Sequence, residues 1–182
     1  MQPSLETRKA ALRAEIGRLA RELGDVLVAA GVLCATAESC TAGGAAYAVT
    51  SVAGSSAWFD RGFVTYTNEA KQQMLGVKEK TLASFGAVSE ETALEMAHGV
   101  LQHAPRASVS ASVTGIAGPG GAVPGKPVGT VCFGFARRSA AGGAVVETVT
   151  EHFAGDRETV RLESIRRALQ GLIEAGALCS AS

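Results

Sequence analysis

Apolar side chains near the amino terminus recur at steps of four and three, with Arg and Glu residues between them. The series consists of Leu12, Ile16, Leu19, Leu23 and Val26. This spacing puts the apolar positions on one face of a helix, which Gly31 is expected to end. We expect that face to pack on the chain's own sheet, although it is also compatible with a partner helix in a dimer.

Apolar, β-branched runs alternate with helical patterns along the rest of the chain. The predicted strands cover residues 32–37, 58–67, 107–113, 128–137 and 145–153. The predicted helices cover residues 41–51, a short segment from Asn68 to Gly76, 90–103, and a final segment ending at about Glu174. Asn68, Ser89 and Asp156 are the expected N-caps of the last three helices. The last two strands form a hairpin around residues 139–143, which makes the sheet mixed.

The length and the apolar content both favour a single domain. With 182 residues, of which 47% are apolar, the chain can bury one continuous core, and we find no internal repeat. The order of strands and helices predicts an α/β protein. We therefore expect residues 1–182 to form one domain, a three-layer α/β/α sandwich with a mixed sheet.

The charge balance argues against large anionic partners. The 17 Lys and Arg residues equal the 17 Asp and Glu residues, so nothing draws the chain as a whole to nucleic acid or to an anionic membrane. No apolar run approaches the roughly 18 residues that a membrane span needs, and no export signal is evident. We expect a protein that binds neither nucleic acid nor membrane but can still bind a small anion locally.

The cysteines and histidines show no metal-binding spacing. The four cysteines lie far apart without a CxxC pair, and the three histidines form no ligand set with them. Cys34, Cys40 and Cys132 stand among apolar or small residues, which is typical of buried, reduced thiols. We therefore predict no metal site and a cytoplasmic location.

Ser39 stands where the first predicted strand gives way to a helix that begins with small residues. Such a junction exposes a side chain at the edge of a sheet beside free backbone N–H groups, which is a suitable place for a nucleophile. The same position suits a serine that merely caps the helix. Cys40 is a rival nucleophile, but the few histidines make a Cys/His pair hard to argue.

Lys71 is the candidate base. If Asn68 caps the short helix, Lys71 falls in the first turn, where the helix dipole disfavours a cation. Burial at such a site would lower the pKa of the amine, and a neutral lysine can deprotonate a serine. A solvated lysine on an exposed helix face is the alternative.

A glycine-rich loop follows the third predicted strand. Residues 113–121 read VTGIAGPGG, and glycines allow backbone amides to converge on an anion. The loop matches neither the Walker pattern nor GxGxxG. It could bind a phosphate, or it could be only a flexible turn.

Six segments resemble the nicotinamide-nucleotide amidase family, also known as the C-terminal domain of the competence- and damage-inducible CinA proteins. They are residues 37–43 (AESCTAG), 62–71 (GFVTYTNEAK), 86–89 (GAVS), 113–121 (VTGIAGPGG), 126–131 (KPVGTV) and 155–157 (GDR). The resemblance runs in order from about Leu19 to Leu172. Because the large N-terminal domain of fused members has no counterpart here, the chain resembles the stand-alone form.

The resemblance implies hydrolysis of nicotinamide mononucleotide to nicotinic acid mononucleotide and ammonia, a step in pyridine-nucleotide salvage. It implies a reaction without metal or cofactor, a homodimer, and a Ser39 nucleophile with Lys71 as base and Tyr66 assisting. The residues expected to bind substrate are Cys40, Thr41, Thr114, Gly115, Ile116, Ala117, Gly118, Arg157 and Arg161.

The chain departs from the family pattern at Ala42, where a glycine is usual after Cys-Thr. We expect Ala42 to be a helical alanine of little consequence. Three other functions stay open: an amidase for a different small amide, a non-catalytic nucleotide-binding module linked to competence or DNA damage, and a scaffold that uses its first helix.

Overall fold

The centre of the molecule is a five-stranded mixed sheet with the order β2-β1-β3-β4-β5. A computed structural model describes residues 4–179. The strands are β1 (Leu33–Glu38), β2 (Phe59–Val64), β3 (Ala107–Gly115), β4 (Thr130–Arg138) and β5 (Ala144–His152). Strand β1 runs parallel to β2 and β3, whereas β4 is antiparallel to both β3 and β5. The predicted mixed sheet is confirmed.

Helices cover both faces of this sheet. They are α1 (Leu5–Ala30), α2 (Gly44–Thr50), α3 (Asn68–Leu75), α4 (Glu79–Phe85), α5 (Glu90–His103) and α6 (Arg157–Cys179). Helices α1, α2 and α6 pack together on one side, and α3 and α4 pack against α5 on the other. Each side has its own apolar core. The three-layer α/β/α sandwich is therefore confirmed.

The apolar face of α1 packs inside the molecule, mainly against α6. Leu12, Ile16, Leu19 and Leu23 are buried as their spacing predicts, and Leu27 is buried in place of Val26. Gly31 ends the helix in the left-handed conformation, as expected. This face is used within the chain, which removes the reason for expecting a partner helix on it.

Two short helices differ from the prediction. The N-cap of α3 is Thr67, whose Oγ1 accepts the amide of Ala70 at 3.0 Å, so the prediction of Asn68 was wrong. Asn68 is instead the first helical residue. Helix α4 was not predicted, because it depends on Glu95 of α5, whose carboxylate accepts the Lys78 amide and the Thr81 hydroxyl.

Ala42 is not helical, contrary to the prediction. It lies in the turn between β1 and α2 with a φ of +51°, and it is exposed. A side chain with a Cβ is strained in this left-handed region, which glycine adopts freely. Helix α2 begins only at Gly44, because Ala42 and Gly43 both take left-handed conformations first.

Replacing Ala42 with Gly should stabilise the protein by up to about 1 kcal/mol, because the strain of the left-handed alanine exceeds the extra chain entropy of glycine. Urea unfolding of the two proteins would measure the difference. Ala46→Gly, within α2, is the control and should destabilise instead. Equal destabilisation by both substitutions would contradict this account of Ala42.

Candidate active site

The candidate site lies at the carboxyl ends of the three parallel strands. Ser39 follows β1, Thr65 and Tyr66 follow β2, and the glycine-rich loop follows β3. Strands that run in the same direction bring these loops to one edge of the sheet, where α/β proteins commonly bind ligands. The start of α6 reaches the same edge, because Arg157 contacts Gly118 and Tyr66.

Ser39 is held between neighbouring strands and does not cap a helix. Its amide donates to the Val113 carbonyl at 2.9 Å, and its hydroxyl is hydrogen-bonded to the Lys71 amine. The side chain is 8% exposed. The N-cap position of α2 belongs to Gly43, so the capping alternative for Ser39 is wrong.

The buried carboxylate of Glu38 takes over the capping of α2. It accepts the amides of Ala45 and Ala46 at 3.0 and 2.9 Å, and Thr36 Oγ1 donates to it at 3.4 Å. An anion at a helix amino terminus is favoured both by the free N–H groups and by the helix dipole. Sequence reasoning missed this role. The sequence feature that could have indicated it is an acidic residue at the end of a strand, seven and eight residues before the two amides that it accepts.

Lys71 is completely buried, and its amine contacts only uncharged oxygens within residues 4–179. The Nζ atom lies 3.0 Å from Ser39 Oγ, 2.7 Å from the Thr65 carbonyl and 3.3 Å from the Tyr66 carbonyl. Burial lowers the pKa of this amine from 10.5 to about 8. The alternative of a solvated lysine is therefore wrong.

The three contacts of Lys71 match the bonding capacity of a neutral amine. An uncharged amine has two N–H donors for the two carbonyls and one lone pair to accept the Ser39 hydroxyl proton. A charged ammonium would satisfy the same oxygens but would remain buried without a counter-ion, which is unfavourable. The arrangement can remove a proton from Ser39.

Cys40 is poorly suited to be the nucleophile. Its side chain is buried, and burial raises the pKa of the thiol to about 11. The reactive form of cysteine is the thiolate, which is scarce near neutral pH at such a site. All four cysteines are free, so the predicted reduced, buried state of Cys34, Cys40 and Cys132 is confirmed.

Among residues 4–179, three amides of the turn after Ser39 have no acceptor, those of Cys40, Thr41 and Gly43. The amides of Ala42 and Gly44 donate to the carbonyls of Ser39 and Thr41 inside the turn. Within the described part of the chain, no carbonyl or side-chain oxygen accepts the amides of Cys40 and Thr41. Two adjacent N–H groups next to a nucleophile can bind a developing oxyanion.

The two candidate arginines, one helical turn apart, have different neighbours. The guanidinium of Arg157 donates to the Gly118 carbonyl at 2.7 Å and to the Tyr66 hydroxyl at 3.5 Å. That of Arg161 donates to the Thr41 carbonyl at 3.1 Å, while its buried Nε has no partner within residues 4–179. Arg157 therefore lies between the glycine-rich loop and the exposed Tyr66, and Arg161 holds the turn after Ser39.

The glycine-rich loop is only partly available as an anion cradle. The Thr114 hydroxyl donates to the Ala87 carbonyl at 2.7 Å, and the Ile116 amide is already bound by Thr130. Gly115 packs against β4 so closely that a Cβ would lie 2.9 Å from the Thr130 carbonyl oxygen. Sequence reasoning grouped these residues as substrate-binding, but their polar groups hold the loop to its neighbours. Ala117 is buried in the apolar core, and the Gly118 carbonyl accepts from Arg157.

Within residues 4–179, no three His, Cys, Asp or Glu side chains come together as a possible metal-binding group. None of the helices in that range is both long and apolar enough to cross a membrane.

Comparisons with known proteins agree with this architecture. The sequence model of the CinA C-terminal domain matches residues 17–175. The nicotinamide-nucleotide amidohydrolase PncC of Escherichia coli strain K12 is 52% identical over 158 residues, 87% of this chain and 93% of that protein. A putative competence-damage inducible protein of Symbiobacterium thermophilum is 46% identical over 86% of this chain but only 39% of its own length.

A solved structure of similar sequence has the same fold. The competence/damage inducible protein CihA of Agrobacterium tumefaciens superposes with a TM-score of 0.79 at 47% identity. The match covers 88% of this chain and 95% of that one. Together with the sequence match over most of the chain, this likeness shows that the protein belongs to the CinA C-terminal domain family.

Proposed function

We propose that this protein hydrolyses the carboxamide of nicotinamide mononucleotide to nicotinic acid mononucleotide and ammonia. The observation that carries the proposal is the 3.0 Å contact between the buried Lys71 amine and the Ser39 hydroxyl. The identity of 52% to an amidohydrolase named for nicotinamide nucleotides supports the substrate class. A small-molecule substrate also agrees with the balanced charge of the chain.

The first step is attack by Ser39. Neutral Lys71 accepts the hydroxyl proton while Ser39 Oγ forms a bond to the carboxamide carbon. The amide oxygen becomes an oxyanion, to which we assign the N–H groups of Cys40 and Thr41 as donors, since neither has an acceptor within residues 4–179. In other acyl-transfer sites, one such donor stabilises the transition state by about 3 kcal/mol.

The second step releases ammonia and the third releases the acid. The leaving nitrogen takes a proton from the Lys71 ammonium, directly or through the Tyr66 phenol, which Lys71 then reprotonates, and the C–N bond breaks to give an ester on Ser39 and a neutral Lys71. Water then attacks that ester, with Lys71 again as the base. Cleavage of the C–O bond to Ser39 yields the carboxylic acid and restores the serine hydroxyl.

Arg157 is the residue we assign to the substrate phosphate. Its guanidinium is on an exposed residue at the start of α6, between Gly118 and Tyr66. Arg161 is half-buried and already bound to the Thr41 carbonyl, so it orders the turn that carries the oxyanion donors. A guanidinium matches the geometry of a phosphate and keeps its charge at every relevant pH.

The compartment and the assembly are also proposals. Four free cysteines agree with a reducing cytoplasm. The homodimer implied by the family resemblance would be measured by sedimentation of the purified protein. We propose it without assigning an interface, since the apolar face of α1 is used inside the chain.

Ser39→Ala and Lys71→Met should each lower ammonia release by about a thousandfold or more, because the nucleophile and its base act as a unit. Ammonia would be measured with nicotinamide mononucleotide, without added metal. Ser84→Ala and Lys80→Met, at exposed positions on α4, are matched controls that should keep full activity.

Three outcomes of that assay would change the assignment. Activity that survives in Ser39→Ala but disappears in Cys40→Ala would transfer the nucleophile to the thiol. Tight binding of the nucleotide with no ammonia release by the unmodified protein would indicate a regulatory module. Faster release from a simple amide than from the nucleotide would indicate a different substrate.

The value of kcat/KM should rise tenfold per pH unit below about pH 8 and level off above it, because only the neutral amine of Lys71 accepts the proton. Initial rates between about pH 6.5 and 9.5 would measure this, a range in which the substrate phosphate, with a second pKa of about 6, stays ionised. A flat profile would contradict a titrating lysine base.

The same pKa should affect stability. Because burial lowers the pKa of Lys71 from 10.5 to about 8, the unfolded chain binds the extra proton between these values, and stability from this group rises with pH there. The unfolding free energy of the wild type relative to Lys71→Met should therefore increase from pH 8 to 10.5. A constant difference across that range would contradict the lowered pKa.

A further inference from the structure

The first part of α1 lies against the start of α6 and beside the proposed phosphate-binding arginine. The family match begins at residue 17, so the segment of residues 5–16 precedes it. Within this segment, Leu12 and Ile16 are 6% and 7% exposed. The segment is thus packed into the molecule, although it lies outside the matched range.

Lys9 makes the central contact between the two helices. Its side chain is almost fully buried, and its amine contacts Asp156 Oδ2 at 2.8 Å, Glu158 Oε2 at 3.0 Å and Glu6 Oε1 at 3.1 Å. These contacts raise the pKa of Lys9 and lower those of Asp156 and Glu158, so the group stays charged near neutral pH.

Arginines of the same segment add further contacts on both sides of Lys9. Arg8 donates to the Ala154 carbonyl at 3.0 Å and to the Glu163 carboxylate at 2.8 Å. Arg13 is paired with Glu158. The segment therefore contacts the chain before α6 and the first two turns of that helix.

The partners of Lys9 flank Arg157 in the sequence. Asp156 accepts the amide and the hydroxyl of Thr159, at 2.9 and 2.7 Å, and so caps the first turn of α6. Glu158 is the first acidic residue inside the helix. Without a cation to pair with them, the two carboxylates next to Arg157 would repel a bound phosphate. They could also form ion pairs with the Arg157 guanidinium and so compete with the phosphate for it.

We infer that residues 5–16 of α1 position the phosphate-binding start of α6, with Lys9 as the positioning residue that holds and neutralises Asp156 and Glu158 around Arg157. This inference rests on the amidohydrolase function proposed above. It assigns to Lys9 an effect on binding of the phosphate and not on the chemistry at Ser39, since Lys9 contacts Glu6, Asp156 and Glu158.

The test is a kinetic comparison of Lys9→Met with the wild type on nicotinamide mononucleotide and on the same compound without its phosphate, nicotinamide riboside. For the nucleotide, KM should rise about fivefold, since charges near a surface couple modestly through solvent. For the riboside, KM should change less than about twofold, because no phosphate charge is present.

Arg18→Met is the matched control. It removes one positive charge from the same helix, but Arg18 pairs with Glu22 of α1 at 2.7 Å and is well exposed. Its KM for either compound should equal that of the wild type. A rise as large as that of Lys9→Met would mean that only net charge matters, and equal rises for nucleotide and riboside in Lys9→Met would mean a general loss of structure. Either result overturns the inference.

Hydrogen exchange separates this inference from the proposed function. In Lys9→Met, the amides at the start of α6, including that of Thr159, should exchange faster than in the wild type, while those of α5 should not change. This holds whether or not the protein releases ammonia. An inactive wild type would refute the amidohydrolase function, whereas unchanged exchange at the start of α6 would refute the positioning role of Lys9.

Discussion

The candidate site depends on an amine that is removed from water and, among residues 4–179, has no acidic partner. Two carbonyl oxygens and one hydroxyl from that range surround the Lys71 nitrogen. Those contacts suit an uncharged amine, and burial brings its pKa down to about 8. The fold therefore makes this amine easier to deprotonate than a solvated lysine and holds it directly beside the Ser39 hydroxyl.

A comparison of two buried lysines makes the physical cause plain. The side chain of Lys9 is almost fully buried, but three carboxylates surround its amine and raise its pKa. Lys71 is hidden and has no carboxylate within salt-bridge distance among residues 4–179, and its pKa falls. Burial alone does not determine the protonation state; the charge of the neighbours decides it.

The sequence predicts the framework well because periodic patterns reflect burial. The sandwich, its mixed sheet and the apolar face of α1 all follow from such patterns, and the junction at Ser39 marks the correct strand end. Other features depend on contacts that are distant in the sequence. Helix α4 needs Glu95 of α5, and the cap of α3 falls on Thr67 although the adjacent Asn68 is equally suitable by residue type.

Some residues of the candidate site could be predicted from the sequence, but the contacts between them could not. Ser39 and Lys71 could be proposed from local chemistry, but their contact spans 32 positions and no spacing rule indicates it. The binding role of the glycine-rich loop stays a prediction, although pairing of Ile116 with Thr130 uses an amide that composition alone leaves available. The capping role of Glu38 was missed because the amides that donate to its carboxylate become its neighbours only after the turn has formed.

The acidic caps of α2 and α6 affect which groups can recognise an anion. Helix amino termini commonly bind phosphates, but here Glu38 already occupies one and Asp156 the other. Negative ligands would thereby be turned away from the dipoles of these two helices and left to the guanidinium group to which we assign the phosphate. Selectivity for an anionic ligand at this edge of the sheet would then depend on side chains. Single substitutions can change those side chains without altering the backbone that carries Ser39.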